Sequence, residues 1–273
     1  MAVKDYLRLE QLPSIWCPGC GHGIVTGAMV RALEQSDIPQ DKVVAISGIG
    51  CSARSTHYMN VDTMHTTHGR ALAFATGVKL ARPELTVMVA TGDGDASAIG
   101  GNHLIHAARR NIDLTVVCFN NSVYGMTSGQ HSPLTPQGHY ASTTPYGNLE
   151  QSFDLCKLVE AAGATYVARG TAYHAAQLVT LIKEGLSNRG FSFIEAISQC
   201  PTYYGRRNRM GNAVSMLNWQ KENTVSAQRY AKDPDEHAQK ILIGRLYQRE
   251  APEYTALYRD LAQQLRDRSE SEQ

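Results

Sequence analysis

Short apolar runs alternate with amphipathic segments through most of the chain. Runs of β-branched and other apolar residues are typical of buried strands, and they occupy residues 42–47, 85–91, 114–119 and 191–197. Residues 99–110 and 173–186 have the apolar spacing of helices. Strands that alternate with helices in this way predict an α/β fold with a doubly wound, mostly parallel sheet.

The pattern changes after about residue 205. Residues 206–210 are basic and loop-like, and a helical stripe of apolar residues follows Pro252, made of Tyr254, Leu257, Tyr258, Leu261 and Leu265. We therefore divide the chain into a domain of residues 1–205 and an irregular and helical extension of residues 206–273. The extension is assigned as a subunit-contact arm, although such a stripe, taken alone, is more typical of packing against the chain's own body.

Charge and composition exclude several functional classes. The 273 residues have a formal net charge of +1, which disfavours nucleic acids and anionic membranes as partners. No apolar run reaches the roughly 20 residues of a membrane span, and the N-terminus lacks the pattern of a secretory signal. We therefore expect a soluble, cytoplasmic protein.

Gly and Asn turns follow two of the predicted strands. Gly92-Asp93-Gly94-Asp95 follows the run 85–91, and Asn120-Asn121 follows the run 114–119. The carboxyl ends of neighbouring parallel strands meet at one edge of a sheet, where ligands bind. Carboxylate and amide oxygens suit Mg²⁺, and glycines let the backbone approach phosphate. A GDG alone is most often an ordinary turn, but the paired asparagines favour a magnesium–diphosphate site.

Cysteines form the second candidate site. The chain has six, at positions 17, 20, 51, 118, 156 and 200. Cys17 and Cys20 form a CxxC pair, whereas Cys51 and Cys200 each follow a predicted strand. Four thiolates suit either a structural Zn²⁺ or a [4Fe–4S] cluster, and the spacing alone does not separate the two. Cys118 and Cys156 lie inside predicted elements, and we expect them to be inert packed thiols.

Several longer motifs occur together in a fixed order. They are WCPGCGH at 16–22, GIGCS at 48–52, GDGDASAIGGNH at 92–103, NNSVYGMTSGQ at 120–130 and QCPTYY at 199–204. GDG followed by NN resembles the magnesium motif of thiamine diphosphate enzymes. As a set, the motifs resemble the β subunit of 2-oxoacid:ferredoxin oxidoreductases over residues 12–210. The resemblance implies the fold of the diphosphate-binding module of thiamine diphosphate enzymes.

The resemblance also implies roles for individual residues. Asp93, Asn121 and the carbonyl of Val123 would bind Mg²⁺, and Cys17, Cys20, Cys51 and Cys200 would ligate a [4Fe–4S] cluster. The residues expected to contact thiamine diphosphate are Ile49, Gly50, Cys51, Ser52, His68, Gly92, Gly94, Asp95, Gly125 and Met126. His65 and His68 are the candidate catalytic residues, with His65 as a hydrogen-bonding partner of the substrate.

The implied activity is oxidative decarboxylation of a 2-oxo acid. Coenzyme A would take the acyl group and ferredoxin or flavodoxin the electrons, and a low-potential donor would allow CO₂ fixation in reverse. The glutamate that activates thiamine lies on a separate module in this family, so we expect an α subunit to supply it in an αβ heterodimer or an (αβ)₂ assembly. Ser128 after YGMT, with the SPLTP segment at 132–136, favours 2-oxoglutarate. Pyruvate and branched 2-oxo acids stay open.

Two other functions compete with this interpretation. One is a thiamine decarboxylase without redox chemistry whose cysteines bind zinc, and the other is a zinc-stabilised regulatory module. Arg206, Arg207 and Arg209 most simply form a solvated loop, although they would also suit the phosphates of coenzyme A or an acidic electron carrier. His103 and His106 share a helix face, but packing or contact with solvent is expected there rather than metal binding.

Overall fold

The computed structural model describes residues 2–271. Its strands are β1 Val43–Ser47, β2 Asp62–His65, β3 Thr86–Gly92, β4 Leu114–Asn120, β5 Val123–Tyr124, β6 Gln130–His131, β7 Tyr166–Thr171, β8 Phe191–Ile197, β9 Thr224–Ser226 and β10 Ile241–Gln248. The α-helices are α1 His22–Glu34, α2 Ser55–Tyr58, α3 Ala71–Ala81, α4 Gly101–Arg109, α5 Leu155–Ala162, α6 Ala175–Ser187, α7 Ala213–Glu222, α8 Ala227–Tyr230 and α9 Tyr254–Ser271. Short π-helical turns occupy Asp95–Ile99 and Pro201–Gly205.

Eight strands form one sheet in the order β2-β1-β3-β4-β8-β7-β10-β9. The strands from β2 to β7 in this order are parallel to their neighbours, and β10 is antiparallel to β7. Helices α1 and α6 pack on one face of the sheet, and α3, α4 and α5 pack on the other. The predicted doubly wound, mostly parallel α/β fold is therefore confirmed.

The apolar pattern predicts the central strands and does not predict β7 or β10. Strand β7 contains Arg169, which is accommodated because Glu195 of β8 and Asp154 each lie 2.6 Å from its guanidinium group. Strand β10 has a bulge between Arg245 and Tyr247, and Gly244 has a φ of +108°. A buried charge and a bulge both interrupt the periodicity by which strands are recognised.

Helix α9 leaves its apolar stripe in contact with solvent. Leu257, Leu261 and Leu265 are each more than half exposed, and so is Tyr258. Packing of the stripe against the chain's own body, the simplest expectation from its pattern, is therefore wrong for these four residues, whereas Tyr254 is partly buried against the core. Neither α9 nor another helix within residues 2–271 is long and apolar enough to cross a bilayer.

Asn111 joins the sheet to the start of the C-terminal helix. Its Oδ1 accepts hydrogen bonds from the Phe191 backbone N–H at 2.7 Å and from the Thr165 hydroxyl at 3.1 Å. Its Nδ2 donates to the carbonyls of Ala251 and Pro252 at 3.3 and 3.0 Å. The residue is buried and has a φ of +48°, a left-handed conformation that asparagine tolerates better than alanine.

We expect Asn111→Ala to lower the free energy of unfolding by about 2–4 kcal/mol, because buried groups lose partners and alanine strains a positive φ. Asn111→Gly loses the same hydrogen bonds without the strain, so it should be about 1–2 kcal/mol less harmful than the alanine variant. Urea unfolding followed by circular dichroism measures both values. Asn223→Ala removes an exposed hydrogen bond and serves as the control. An alanine variant as stable as this control would contradict the role of Asn111.

Candidate cofactor and cluster site

A cleft of about 480 Å³ lies at the carboxyl ends of β1, β3 and β4. This is the sheet edge at which the sequence predicts ligand binding. The cleft is lined by all of the residues expected to contact thiamine diphosphate, by the three expected magnesium ligands, and by His22, Phe119, Tyr124 and Thr127. The structure thus brings the two sequence motifs of the predicted diphosphate site into one space.

Asp93 is buried directly after β3. Its carboxyl group accepts hydrogen bonds from the backbone N–H groups of Gly94 and Asn121 and from the hydroxyl of Ser132. Burial is the largest influence and raises the pKa of Asp93 to about 7. No Lys, Arg or His within residues 2–271 forms an ion pair with it. A buried carboxylate without a cationic partner fits the binding of a hard metal ion.

The turn after β4 is fixed from behind. Asn120 Oδ1 accepts from the Ser122 backbone N–H at 3.0 Å, and Asn120 Nδ2 donates to Glu195 Oε1 at 2.6 Å. Asn121 Oδ1 accepts from the Val123 backbone N–H at 3.3 Å. Because the Asn121 N–H also reaches the carboxyl group of Asp93, the ends of β3 and β4 are joined at the place where the metal is expected.

Two glycines of the cleft are required by its geometry. A Cβ on Gly94 would overlap the ring of Tyr124, whose hydroxyl donates to the Gly94 carbonyl at 3.1 Å. Gly50 has a φ of +105°, which side-chain-bearing residues rarely adopt. Gly94 is therefore required for the close packing of Tyr124, whereas Gly50 is required by its backbone conformation and has open space where a Cβ would lie.

Asp95 connects the loops that surround the cleft. Its carboxyl group accepts from the Gly69 backbone N–H at 2.7 Å and from the Thr91 hydroxyl at 2.8 Å. His68 Nδ1 lies 2.6 Å from Asp95 Oδ1 without the geometry of a hydrogen bond, and the His68 side chain lines the cleft. Since its carboxyl group is turned toward the protein, Asp95 organises the cleft whether or not it also touches a cofactor.

The two candidate catalytic histidines lie in different places. His68 lines the cleft, whereas His65 does not. His65 ends the exposed edge strand β2, and its Nδ1 lies 3.1 Å from the Ser47 hydroxyl oxygen. The geometry of this chain therefore favours His68 over His65 as a residue that contacts a bound cofactor.

Hydrogen bonds bring the predicted cluster cysteines together from three segments. The Cys20 N–H donates to the Cys17 carbonyl at 3.1 Å, which closes the CxxC turn. The Gly21 N–H donates to the Gln199 carbonyl at 3.0 Å, and this bond places the turn beside Cys200. The Trp16 indole N–H donates to the Cys51 carbonyl at 2.8 Å. Cys200 and Cys51 are thus both tied to the segment that contains the CxxC pair.

The four thiols share one region next to the cleft. A Cβ placed on Gly125 would lie 3.4 Å from the Cys51 sulfur and 3.8 Å from the Cys200 sulfur. Burial, and to a smaller extent the neighbouring thiols, raises the pKa of Cys51 to about 11. The same two causes raise the pKa of Cys20 to about 12, and a backbone hydrogen bond from His22 partly offsets this increase. Cys51 also lines the cleft, so the two candidate sites meet at this residue.

Backbone N–H groups point at two of these sulfurs. The His22 N–H is directed at Cys20, and the N–H groups of Tyr203 and Tyr204 are directed at Cys200. Such donors stabilise metal-bound thiolates and tune iron–sulfur clusters.

Within residues 2–271, no three His, Cys, Asp or Glu side chains converge as the ligands of a single ion would. This also holds for the helix that carries His103 and His106.

The sequence did not assign roles to His22 or Ser132. Burial lowers the pKa of His22 to about 4, so its ring is neutral between the cleft and the CxxC turn. The only sequence signal for His22 is its place at the end of the WCPGCGH motif. Ser132 binds Asp93 from a loop 39 residues away in sequence, a contact that local spacing does not reveal.

Comparisons with known proteins agree with this geometry. Residues 48–196 match the family described as thiamine pyrophosphate enzyme, C-terminal TPP binding domain. A 2-oxoglutarate synthase subunit KorB from Methanothermobacter thermautotrophicus is 58% identical over 249 residues, which are 91% of this chain and 87% of that protein. The KorB subunit of Methanocaldococcus jannaschii is 51% identical over 263 residues, or 96% of this chain and 97% of that protein. The chain is a 2-oxoacid:ferredoxin oxidoreductase β subunit.

A solved structure is similar to this β subunit over nearly its whole length. It is 2-oxoglutarate:ferredoxin oxidoreductase from Magnetococcus marinus with 2-oxoglutarate, coenzyme A and succinyl-CoA bound. The match has a TM-score of 0.87 and 36% identity, and it covers 97% of this chain and 91% of that one. The resemblance found in the sequence motifs and the predicted fold of the thiamine diphosphate-binding type are both confirmed.

Asp93→Asn should stabilise the metal-free β subunit while abolishing its response to Mg²⁺ and thiamine diphosphate. The folded-state pKa of about 7 exceeds the ordinary 3.8, so the stability gained from protonated Asp93 is present at low pH and lost as the pH rises through 7. The variant should therefore melt at a higher temperature than the parent at pH 8, and the gap should close toward pH 4.

Thermal unfolding across this pH range, with and without Mg²⁺ and thiamine diphosphate, measures both effects. The ligands should raise the melting temperature of the parent alone. Asp62→Asn changes an exposed carboxylate of β2 and should behave like the parent in both respects. The assignment fails if Asp93→Asn keeps the ligand response of the parent.

Proposed function

We propose that this β subunit, together with an α subunit, oxidatively decarboxylates 2-oxoglutarate with coenzyme A. The products are succinyl-CoA and CO₂, and two electrons pass one at a time through a [4Fe–4S] cluster to ferredoxin in the cytoplasm. The observation that carries the proposal is the position of Cys51, which lines the cofactor cleft and also belongs to the four-thiol group.

Magnesium would bind where β3 and β4 end. Asp93 supplies a carboxylate, Asn121 an amide oxygen and Val123 a backbone carbonyl, and this is a donor set suited to Mg²⁺ that bridges a diphosphate. Binding of the cation would remove the penalty of burying an ionised Asp93. The hydrogen bonds of Asn120 to Ser122 and Glu195 keep the turn rigid, so the ligands need little reorganisation.

Thiamine diphosphate, when bound, supplies the electron sink for loss of CO₂ from the 2-oxo acid. The residues of this chain hold it and shape its surroundings. Gly92, Gly94 and Gly125 give the phosphates access to the backbone, whereas Ile49 and Met126 provide apolar contacts. His68, next to Asp95, offers a polar contact at the cleft wall.

A [4Fe–4S] cluster held by Cys17, Cys20, Cys51 and Cys200 would accept the electrons. The N–H groups directed at Cys20 and Cys200 suit cluster thiolates. Each thiolate of a cluster binds a different iron, whereas the four thiolates of a zinc site converge on one ion. Two relatives are named 2-oxoacid:ferredoxin oxidoreductase, and this redox activity also favours the cluster over the zinc alternative.

The choice of 2-oxoglutarate rests on several relatives and one sequence feature. KorB subunits from three archaea that are 51–58% identical to this chain are named 2-oxoglutarate synthase subunits. The Magnetococcus enzyme holds 2-oxoglutarate and succinyl-CoA. Ser128, which follows the YGMT segment, also favours 2-oxoglutarate as the substrate. Relatives named for 2-oxo acids in general are about 43% identical, so a broader substrate range is the second candidate.

An α subunit would complete the active site. The cleft is open on the side of Ile49 and Met126, which are 36% and 42% exposed. A partner that covers this side would exclude water and bring the glutamate that activates thiamine. The C-terminal extension, residues 206–273, would contribute to subunit contacts through the exposed stripe of α9. We expect an αβ heterodimer or (αβ)₂.

Cys200→Ser should remove the cluster, whereas Cys156→Ser should leave it in place. Cys156 is a buried thiol that lies 3.4 Å from Glu195 Oε2 and is not one of the four proposed cluster ligands. Its serine variant is therefore a matched control. Iron analysis and visible absorption of the anaerobic αβ complex should reveal a loss of about four irons per β subunit in the first variant only. Zinc in place of iron in the parent complex would exclude the redox mechanism.

The substrate is tested with the anaerobic αβ complex, coenzyme A and a viologen dye as electron acceptor. We expect kcat/KM for 2-oxoglutarate to exceed that for pyruvate about tenfold or more, because a site built for a second carboxylate leaves polar groups unpaired with pyruvate. A preference for pyruvate would contradict this substrate. Equal values for both would favour the broad-range alternative.

A further inference from the structure

A short basic loop borders the four cysteines on the outer side of the molecule. It follows the π-helical turn Pro201–Gly205 and precedes α7. Gly19, at the centre of the CxxC turn, packs against both ends of this region. A Cβ on Gly19 would lie 2.5 Å from the Ala213 Cβ and 3.6 Å from the Pro201 Cγ. Cys17 of the same turn is exposed, so the four-thiol group reaches the surface beside this loop.

The loop concentrates positive charge on a protein of nearly neutral total charge. Arg206, Arg207 and Arg209 are all exposed. Residues 196–221 contain four basic residues and no Asp or Glu, and residues 11–33, which include the CxxC pair, also contain no Asp or Glu. The chain as a whole has a formal charge of +1. The surface around the exposed edge of the four-thiol group is therefore locally cationic.

The loop is held in one conformation although its arginines are exposed. The Tyr140 N–H donates to Asn208 Oδ1 at 2.8 Å, and Asn208 Nδ2 donates to the carbonyls of Tyr140 and Tyr204 at 3.0 and 2.9 Å. Arg209 adopts a φ of +54° at the end of this turn. A fixed backbone that displays long cationic side chains loses little entropy when a partner binds.

An exposed apolar side chain follows the loop. Val214, next to the Ala213 contact of the CxxC turn, is 63% exposed. Apolar side chains together with charged residues at the rim are typical of protein interfaces. We call the surface formed by Val214, Arg206, Arg207 and Arg209 the basic face.

We propose that the basic face docks the electron carrier, a small acidic iron–sulfur protein of the ferredoxin type. The proposal rests on the proposed redox function and adds the place where the electrons leave. The carrier must approach the cluster, and the exposed Cys17 lies next to this face. None of the three arginines lines the cofactor cleft, which separates them from the acyl-transfer chemistry. Opposite charges would steer the encounter and align the two clusters.

The test reverses the three charges in the anaerobic αβ complex, as Arg206→Glu, Arg207→Glu and Arg209→Glu together. With an acidic two-cluster ferredoxin as acceptor, kcat/KM should fall about tenfold or more, mostly through KM. The rate with methyl viologen, which needs no docking surface, should stay unchanged. The ferredoxin rate of the parent should fall with ionic strength, and that of the variant should lose this dependence.

A matched control carries the same substitutions at Arg109, Arg110 and Arg189. These exposed arginines lie at the opposite edge of the sheet, before β4 and β8. The control should keep the parent's ferredoxin kinetics. A milder variant replaces the same arginines by glutamine, as Arg206→Gln, Arg207→Gln and Arg209→Gln. It should raise the ferredoxin KM by a smaller factor, and it replaces the charge-reversal variant in the test if that variant does not fold.

Three results would overturn the proposal while leaving the proposed function intact. They are an unchanged KM for ferredoxin in both loop variants, an equal loss in the control, and a rise in the KM for coenzyme A in place of that for ferredoxin. The last result would assign the arginines to phosphate binding. Failure of the proposed function looks different, because the parent complex would then not reduce methyl viologen with 2-oxoglutarate.

Discussion

Two carboxyl groups buried at one edge of the sheet determine how the rest of the site is arranged. The carboxyl group of Asp95 accepts hydrogen bonds from the Gly69 N–H and the Thr91 hydroxyl, and His68 Nδ1 lies 2.6 Å from its Oδ1. Asp93 receives hydrogen bonds but no cation, and its pKa is raised to about 7 by burial. A buried carboxyl group without a cationic partner suits the binding of a metal ion. Asp95 shapes the cleft, and Asp93 is the proposed metal ligand.

The same fold places the four-thiol group next to the proposed metal site. Strand β1 ends at Ser47, and the turn that follows carries Cys51 into the cleft. Strand β8 ends at Ile197, and the segment after it carries Cys200 close to Cys51. Because parallel strands end at one edge, residues far apart in sequence meet there. The proximity of the proposed magnesium and cluster sites thus follows from topology, and it needs no separate domain.

The sequence predicts those parts of the molecule in which local pattern and tertiary structure agree. The sequence predicts strand β8 at its observed bounds because five of the seven residues of Phe191–Ile197 are apolar. The cleft was predicted because GDG and NN follow neighbouring strands. Strand β7 was missed because Arg169 is neutralised by Glu195, a residue 26 positions away in sequence. The roles of Ser132 and Glu195 are missed for the same reason, because their contacts are long-range and no local spacing encodes them. His22 has a local signal, its place at the end of the WCPGCGH motif, but that signal does not reveal a role.

We therefore expect the two sides of this β subunit to have different partners. The open cleft exposes Ile49 and Met126, apolar side chains that a subunit interface would cover, whereas the edge near Cys17 carries arginines in a fixed loop. A permanent contact gains most from apolar burial, but a carrier that must leave after each electron needs charge steering and a small interface. The chemistry of each surface thus matches the lifetime of the contact that it would make. In the proposed mechanism, Cys51 and Cys17 would mark the two ends of the electron path between these surfaces.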